Sequence, residues 1–182
     1  MKKNTYFLNF VKVTFVLLVV SFIAYKFYEK SDVLSSENTP NNSEVSLASY
    51  QDENSVKDSI VNYGMKLLGT PYQEAGCSLD GFDCSGFVYF VFQHFNIKVP
   101  RSSAAFENFG NEIPIEKVEK GDVLLFLSPT RNAIGHIGIV SNPNGKESDF
   151  MHATSGREMK VVVTSLTNSG YTKRFVKAIR VF

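Results

Sequence analysis

The sequence predicts an α+β domain in which helices come first and an antiparallel sheet follows. Three observations carry that expectation. From Val56 to Phe109 the apolar residues recur at helical spacing or form a run long enough for a buried helix. After Gly110 they fall into short β-branched and aromatic runs separated by turn residues. Helices followed by strands, rather than alternating with them, favour an antiparallel sheet of about five strands. The 182 residues suit one domain with extra segments at an end.

The first segment, residues 1–30, reads as an address. Lys2 and Lys3 precede the apolar run from Val13 to Ala24, the pattern of an export signal. Phe22 stands where a cleavage site wants a small residue, and Tyr6 to Tyr28 is long enough to cross a bilayer. An uncleaved signal-anchor is therefore favoured over a cleaved signal peptide. The lysines keep the N-terminus inside, so the rest of the chain is expected outside the cytoplasm, in the cell envelope. Residues 31–55 hold five acids, no base, Pro40 and few large apolar residues, and read as a disordered acidic linker.

The domain proper is expected over residues 56–182. Val56, Ile60, Tyr63, Leu67 and Leu68 predict a helix capped by Gly69. Thr70-Pro71 breaks it. A loop then leads to Asp83, and Cys84 opens a second helix reaching His94 or Phe95. A short helix is expected from Ala104 to Phe109. Strands are expected at Val123–Leu127, His136–Val140, Phe150–Ala153, Lys160–Val163 and Phe175–Val181, with Asn142-Pro143-Asn144-Gly145 as a turn. The Cys84 helix would pack on this sheet. The three segments carry +4, −5 and +2, and no basic patch stands out, so nucleic acid is not an expected partner.

The chemistry is concentrated at Asp83-Cys84-Ser85-Gly86. Asp83 is a good N-cap for the apolar run Phe87–Phe92. That places the Cys84 thiol at a helix N-terminus, where free N–H groups and the macrodipole are expected to favour its thiolate. A lone cysteine is more often a small buried hydrophobe, and a lone strand histidine a hydrogen-bonded structural residue. Here, however, His136 and His152 lie on successive strands that can bring them to one face. The group then comprises a nucleophile, a base and a residue that orients the base. No two candidate ligands have the close spacing of a zinc site, so neither metal nor cofactor is expected. His94, late in the helix, is assigned no role.

These residues resemble the NlpC-like cysteine peptidases of bacterial cell walls, a papain-like fold, from about Val56 to Phe182. The motifs are Gly69-Thr70-Pro71-Tyr72, Gly81-Phe82-Asp83-Cys84-Ser85-Gly86-Phe87-Val88, Val99-Pro100-Arg101-Ser102-Ser103, Gly121–Phe126, His136–Val140 and Met151-His152-Ala153. The resemblance implies Cys84 as nucleophile, His136 as general base and then acid, and His152 as its orienting residue. It places Tyr72 beside the thiol at the oxyanion. It puts Asp83 and Ser85 in the pocket wall, where related enzymes can meet a substrate's amino end. It also implies hydrolysis of peptidoglycan stem peptides, of the D-glutamyl–diamino acid endopeptidase type, through a thioester. A monomer is expected. A related thiol amidase or acyltransferase, and a non-catalytic wall-peptide-binding domain, are the competing readings. Arg101 and Asp122 are expected to make loop and turn hydrogen bonds.

The chain departs from the family at Gln73-Glu74-Ala75-Gly76-Cys77, where an aromatic followed by glycines is usual, and it has no Trp at all. Glu74 reads as an exposed loop carboxylate. Cys77 could form the one possible disulfide, with Cys84, in an oxidising compartment. A free loop thiol is the preferred reading.

Overall fold

The computed structural model describes residues 42–182 and, before them, Ser21, Phe22 and Lys26. Among the described residues no helix is long and apolar enough to cross a membrane. The expected signal-anchor lies almost wholly outside the described residues, as does the linker up to residue 41. The chain divides into two compact units at Leu47/Ala48, and all that follows belongs to the second, Ala48–Phe182, apart from the first residues of the helix that crosses the boundary.

Helix α1 spans Asn42–Met65 and so begins inside the segment read as linker. The stretch from Asn42 to Tyr63 has neither Pro nor Gly, and Glu44, Leu47, Ala48 and Gln51 are good helix formers. Charge alone was a poor guide to this half of the segment. The helix stops four residues short of Gly69, whose φ of +87° ends the turns that follow. A small hairpin follows, β1 (Cys77–Ser78) with β2 (Gly81–Phe82). Helix α2 (Cys84–His94) begins and ends as expected. A 3-10 helix occupies Ser103–Asn108.

The sheet has six strands rather than five. Strands β3 (Asn111–Ile113), β4 (Val123–Leu127), β5 (Ile134–Asn142), β6 (Asp149–Thr154), β7 (Lys160–Ser165) and β8 (Phe175–Arg180) lie in the order β3-β8-β4-β5-β6-β7. Every neighbouring pair is antiparallel. The unexpected strand, β3, is a short polar edge with no alternating pattern to announce it. A one-turn helix, α3 (Ser169–Thr172), was likewise not expected.

Both faces of the sheet are covered, which is why β4 reads as an unbroken apolar run. Val123 and Leu125 join α2's Phe87, Val88, Val91 and Phe92 in one core, with Ile137, Ile139 and Met151. Leu124 and Phe126 join Val140, Phe150 and Ala178 in the other, under Val118 and Leu166. Each fully buried side chain of α2 stabilises the fold by about 2 kcal/mol. Tyr63 of α1 stacks on His94 of α2 with ring centroids 3.8 Å apart, which accounts for His94 without any chemistry.

A charged network fixes the entry to β4. Asp122, 2% exposed, accepts from Arg180 Nε and Nη2, both at 2.9 Å, and from the Glu119 N–H at 2.6 Å. Glu119 in turn pairs with Lys57 of α1 at 2.6 Å. Asp122 therefore closes its turn, as expected, and also pins β8. Asp122→Ala leaves Arg180 short of a buried partner and should cost about 3 kcal/mol, read as a lower urea midpoint with unchanged m-value. A loss below about 0.5 kcal/mol would show that the network is incidental.

Candidate active site

The position of Cys84 is fixed by the first turn of α2. The Asp83 carboxylate caps it, accepting from the Gly86 N–H at 2.6 Å and from the Ser85 hydroxyl at 3.1 Å. Arg101 grips the same carboxylate with two nitrogens, at 3.0 and 2.9 Å, and also donates to Ser85 Oγ at 3.1 Å. Its Nη2 reaches the carbonyls of Ala75 and Gly76 at 2.8 and 3.1 Å. A Cβ at Gly86 would overlap the Gly76 carbonyl oxygen, so only glycine lets the β1 loop lie against the turn. Asp83 and Ser85 are thus both engaged with Arg101 at the start of α2. Arg101 makes loop hydrogen bonds, as expected, but its bidentate grip on Asp83 was not foreseen.

Cys84 is half-buried, and its Sγ lies 3.9 Å from the carbonyl oxygen of Gly135. The β4–β5 register shifts between Phe126 and Leu127, which leaves Gly135 as the extra residue of a bulge directly before His136. The β5–β6 ladder starts only at Ile139↔Met151. The backbone of β5 near Gly135 and Ile137 is therefore open to the thiol, and the Ile137 N–H interacts with it. Tyr72 lies close enough to feel the charges of Cys84 and Asp83, with Ser155 beside its hydroxyl.

His136 and His152 meet as expected, although not on the face that α2 covers. They lie among Phe126, Phe150 and Tyr171 on the opposite face. His136 Nε2 is 3.0 Å from His152 Nδ1, and His152 Nε2 is 2.9 Å from Thr164 Oγ1. These two bonds leave Nδ1 of His136 outside the chain they form. With that nitrogen as acceptor, the His136 Nε2–H donates to His152, and the His152 Nε2–H donates to Thr164. Thr164 was not anticipated, since a lone strand threonine carries no sequence signal.

The electrostatics correct one expectation. Cys84 does not rest as a stabilised thiolate. Burial raises its pKa, the Asp83 carboxylate adds to that, and the N–H groups of Ile137, Ser85 and Cys84 oppose both without prevailing. Burial first, then His152 and Arg174, holds His136 well below the usual imidazole range. Burial and Arg174 lower His152 to about 4. The resting pair is a neutral thiol beside a neutral imidazole, because the helix terminus offers less than desolvation removes. Burial is also the main cause that raises the Tyr72 phenol, followed by Cys84 and Asp83.

Cys77 and Cys84 are both free thiols. The Cys77 Sγ faces the Gly86 carbonyl at 3.6 Å, a different partner from that of Cys84. Among the described residues no group of His, Cys, Asp or Glu could hold a metal ion. Cys84, the two bonded histidines, Tyr72 and the first N–H groups of α2 are the groups available here for thiol chemistry.

The chain is similar to known proteins in sequence and in fold. A sequence model of the NlpC/P60 family matches residues 69–180. A probable endopeptidase of Haemophilus influenzae is 37% identical over 115 residues, which are 62% of this chain and 67% of that protein. A gamma-D-glutamyl-L-lysine dipeptidyl-peptidase of Bacillus subtilis is 31% identical over 127 residues, 69% of this chain but only 41% of that enzyme. The crystal structure of an NlpC/P60 family protein from Bacillus cereus superposes with a TM-score of 0.61 at 28% identity, covering 69% of this chain and 40% of that one. With the family's sequence match spanning more than half its length, this chain belongs to the NlpC/P60 family.

Proposed function

We propose that the chain is an exported cysteine peptidase that hydrolyses amide bonds in peptidoglycan stem peptides, of the D-glutamyl–diamino acid type. The observation that carries the reading is the Cys84 sulfur 3.9 Å from the carbonyl oxygen of Gly135, the residue before His136, whose ring is bonded to His152 and through it to Thr164. The relatives' activities support the substrate class, and the basic, apolar start of the chain supports export with retention at the membrane.

In this reading the thiol proton passes to His136 Nδ1 as the sulfur attacks the carbonyl carbon. The oxyanion is met by the Tyr72 hydroxyl and the Cys84 N–H, stabilisation worth about 3 kcal/mol. The C–N bond breaks as His136 returns the proton to the leaving amine, and a thioester remains on Cys84. Water then attacks the thioester, His136 takes its proton, and the thiol is restored. His152 holds the His136 ring and tautomer, and Asp83, Ser85 and Arg101 hold the nucleophile's turn in place.

Full-length protein should release soluble muropeptides from purified sacculi, and Cys84→Ala should release none. His136→Ala should lower kcat by about a thousandfold. Equal release by wild type and Cys84→Ala would reject the nucleophile. The pH dependence follows from the neutral resting pair. His136 stays unprotonated to below the usual histidine value, and Cys84 stays protonated to above the usual cysteine value. The profile of kcat/KM should therefore be flat from below about pH 6.5 to above about pH 8.5. A narrow bell with its acid limb at or above about pH 6.5 would contradict it.

A further inference from the structure

Beside His136 lies a cavity of about 310 Å³, lined by Pro129, Thr154, Ser155, Tyr171 and Arg174 together with His136 itself. Arg174 is the charged residue in its wall. The guanidinium donates from Nε to the Gly170 carbonyl at 2.8 Å and from Nη1 to the Leu127 carbonyl at 3.0 Å. Its central carbon sits 5.0 Å from the centre of the Tyr171 ring. These contacts fix the group's direction but leave its charge unmatched. No carboxylate pairs with Arg174 among the described residues, whereas Arg101 has Asp83, and Arg180 has Asp122 and Glu119. The unmatched charge is felt at both histidines. An oriented, half-buried guanidinium facing a cavity without a counter-charge is suited to a carboxylate ligand.

The cavity's place assigns the side of the bond. His136 gives its proton to the leaving amine, so the residue that owns that amine must lie next to His136. None of Asp83, Ser85 or Arg101 lines this cavity. We propose that Arg174 and the cavity around it form a subsite for a carboxylate on the leaving-group side of the scissile bond. The preferred leaving residue is then a diamino acid bearing a free carboxylate near that bond. The side of the bond rests on the peptidase reading above; the anion site does not. Tyr171, between Arg174 and the histidines, would form its apolar wall, and Ser155 could supply a second donor.

Two carboxylates could serve: the α-carboxylate of a terminal diamino acid, or the side-chain carboxylate of diaminopimelate. Four L-alanyl-γ-D-glutamyl tripeptides separate them. One pair ends in L-lysine as the free acid or the α-carboxamide. The other ends in the α-carboxamide of diaminopimelate with its side-chain carboxylate free or amidated. For full-length wild type, kcat/KM should favour the free carboxylate by about tenfold or more in one pair, and that pair names the source. Arg174→Gln should bring this ratio to within about twofold of unity, and Arg174→Lys should restore most of it. Because the readout is a ratio within one protein, lost packing at Leu127 or Gly170 does not imitate the effect. Ratios near unity in both pairs, or a ratio that survives Arg174→Gln, would overturn the subsite. Binding of the same peptides to Cys84→Ala, alone and with Arg174→Gln, reads the site without hydrolysis. A tenfold affinity preference there that Arg174→Gln abolishes supports the subsite even if wild type cleaves none of the four, an outcome that would sink the peptidase reading instead. Equal affinities overturn the subsite.

Discussion

The site depends first on the carboxylate of Asp83. One oxygen caps the Gly86 N–H, and both are gripped by Arg101, whose other bonds run to the carbonyls of Ala75 and Gly76. A single charge thus starts helix α2, fixes the loop that abuts it and sets where Cys84 stands. Gly86 is the steric counterpart, because the Gly76 carbonyl occupies the space of its missing side chain. The histidine side of the site is built separately, on strands anchored by two apolar cores. The bulge at Gly135 brings the two halves into register by opening the backbone of β5 to the thiol.

Burial that positions these groups also sets their resting charge. A helix N-terminus favours an anion by roughly 0.3–1 kcal/mol, less than desolvation of a thiolate takes away. The Asp83 carboxylate that builds the turn raises the thiol further. Arg174 and His152 act on His136 in the same direction as its burial. In the proposed mechanism proton transfer is therefore left to the moment of attack, and a negatively charged group arriving beside Arg174 would ease it by offsetting that positive charge.

Much of this was legible in the sequence for a definite reason. The apolar run after Asp83 could only be a buried helix, and its cap and first residue pointed to Cys84. Five strands were visible because β-branched and aromatic residues mark them. Strand β3 was missed because Asn-Glu-Ile at an edge buries too little to leave a pattern. The helical start at Asn42 was missed because acidic composition masked a stretch without Gly or Pro. The pairing of His136 with His152 could be anticipated from successive strands, but not the face they share. That face follows from the register of Phe126 against His136, a long-range fact. Arg101 and Arg174 look alike in the sequence. Only the structure distinguishes the cation whose charge is matched from the one that has no carboxylate partner among the described residues.

The central claim is that Cys84 carries the acyl group and that its proton travels through His136. Rapid-quench mass spectrometry of the full-length protein with an activated γ-D-glutamyl ester tests it directly. The account predicts one acyl group per chain, held as a hydroxylamine-labile thioester on the peptide containing Cys84, with His136→Ala slowing its formation. An acyl group on Cys77, or none under conditions where the substrate is turned over, would contradict it.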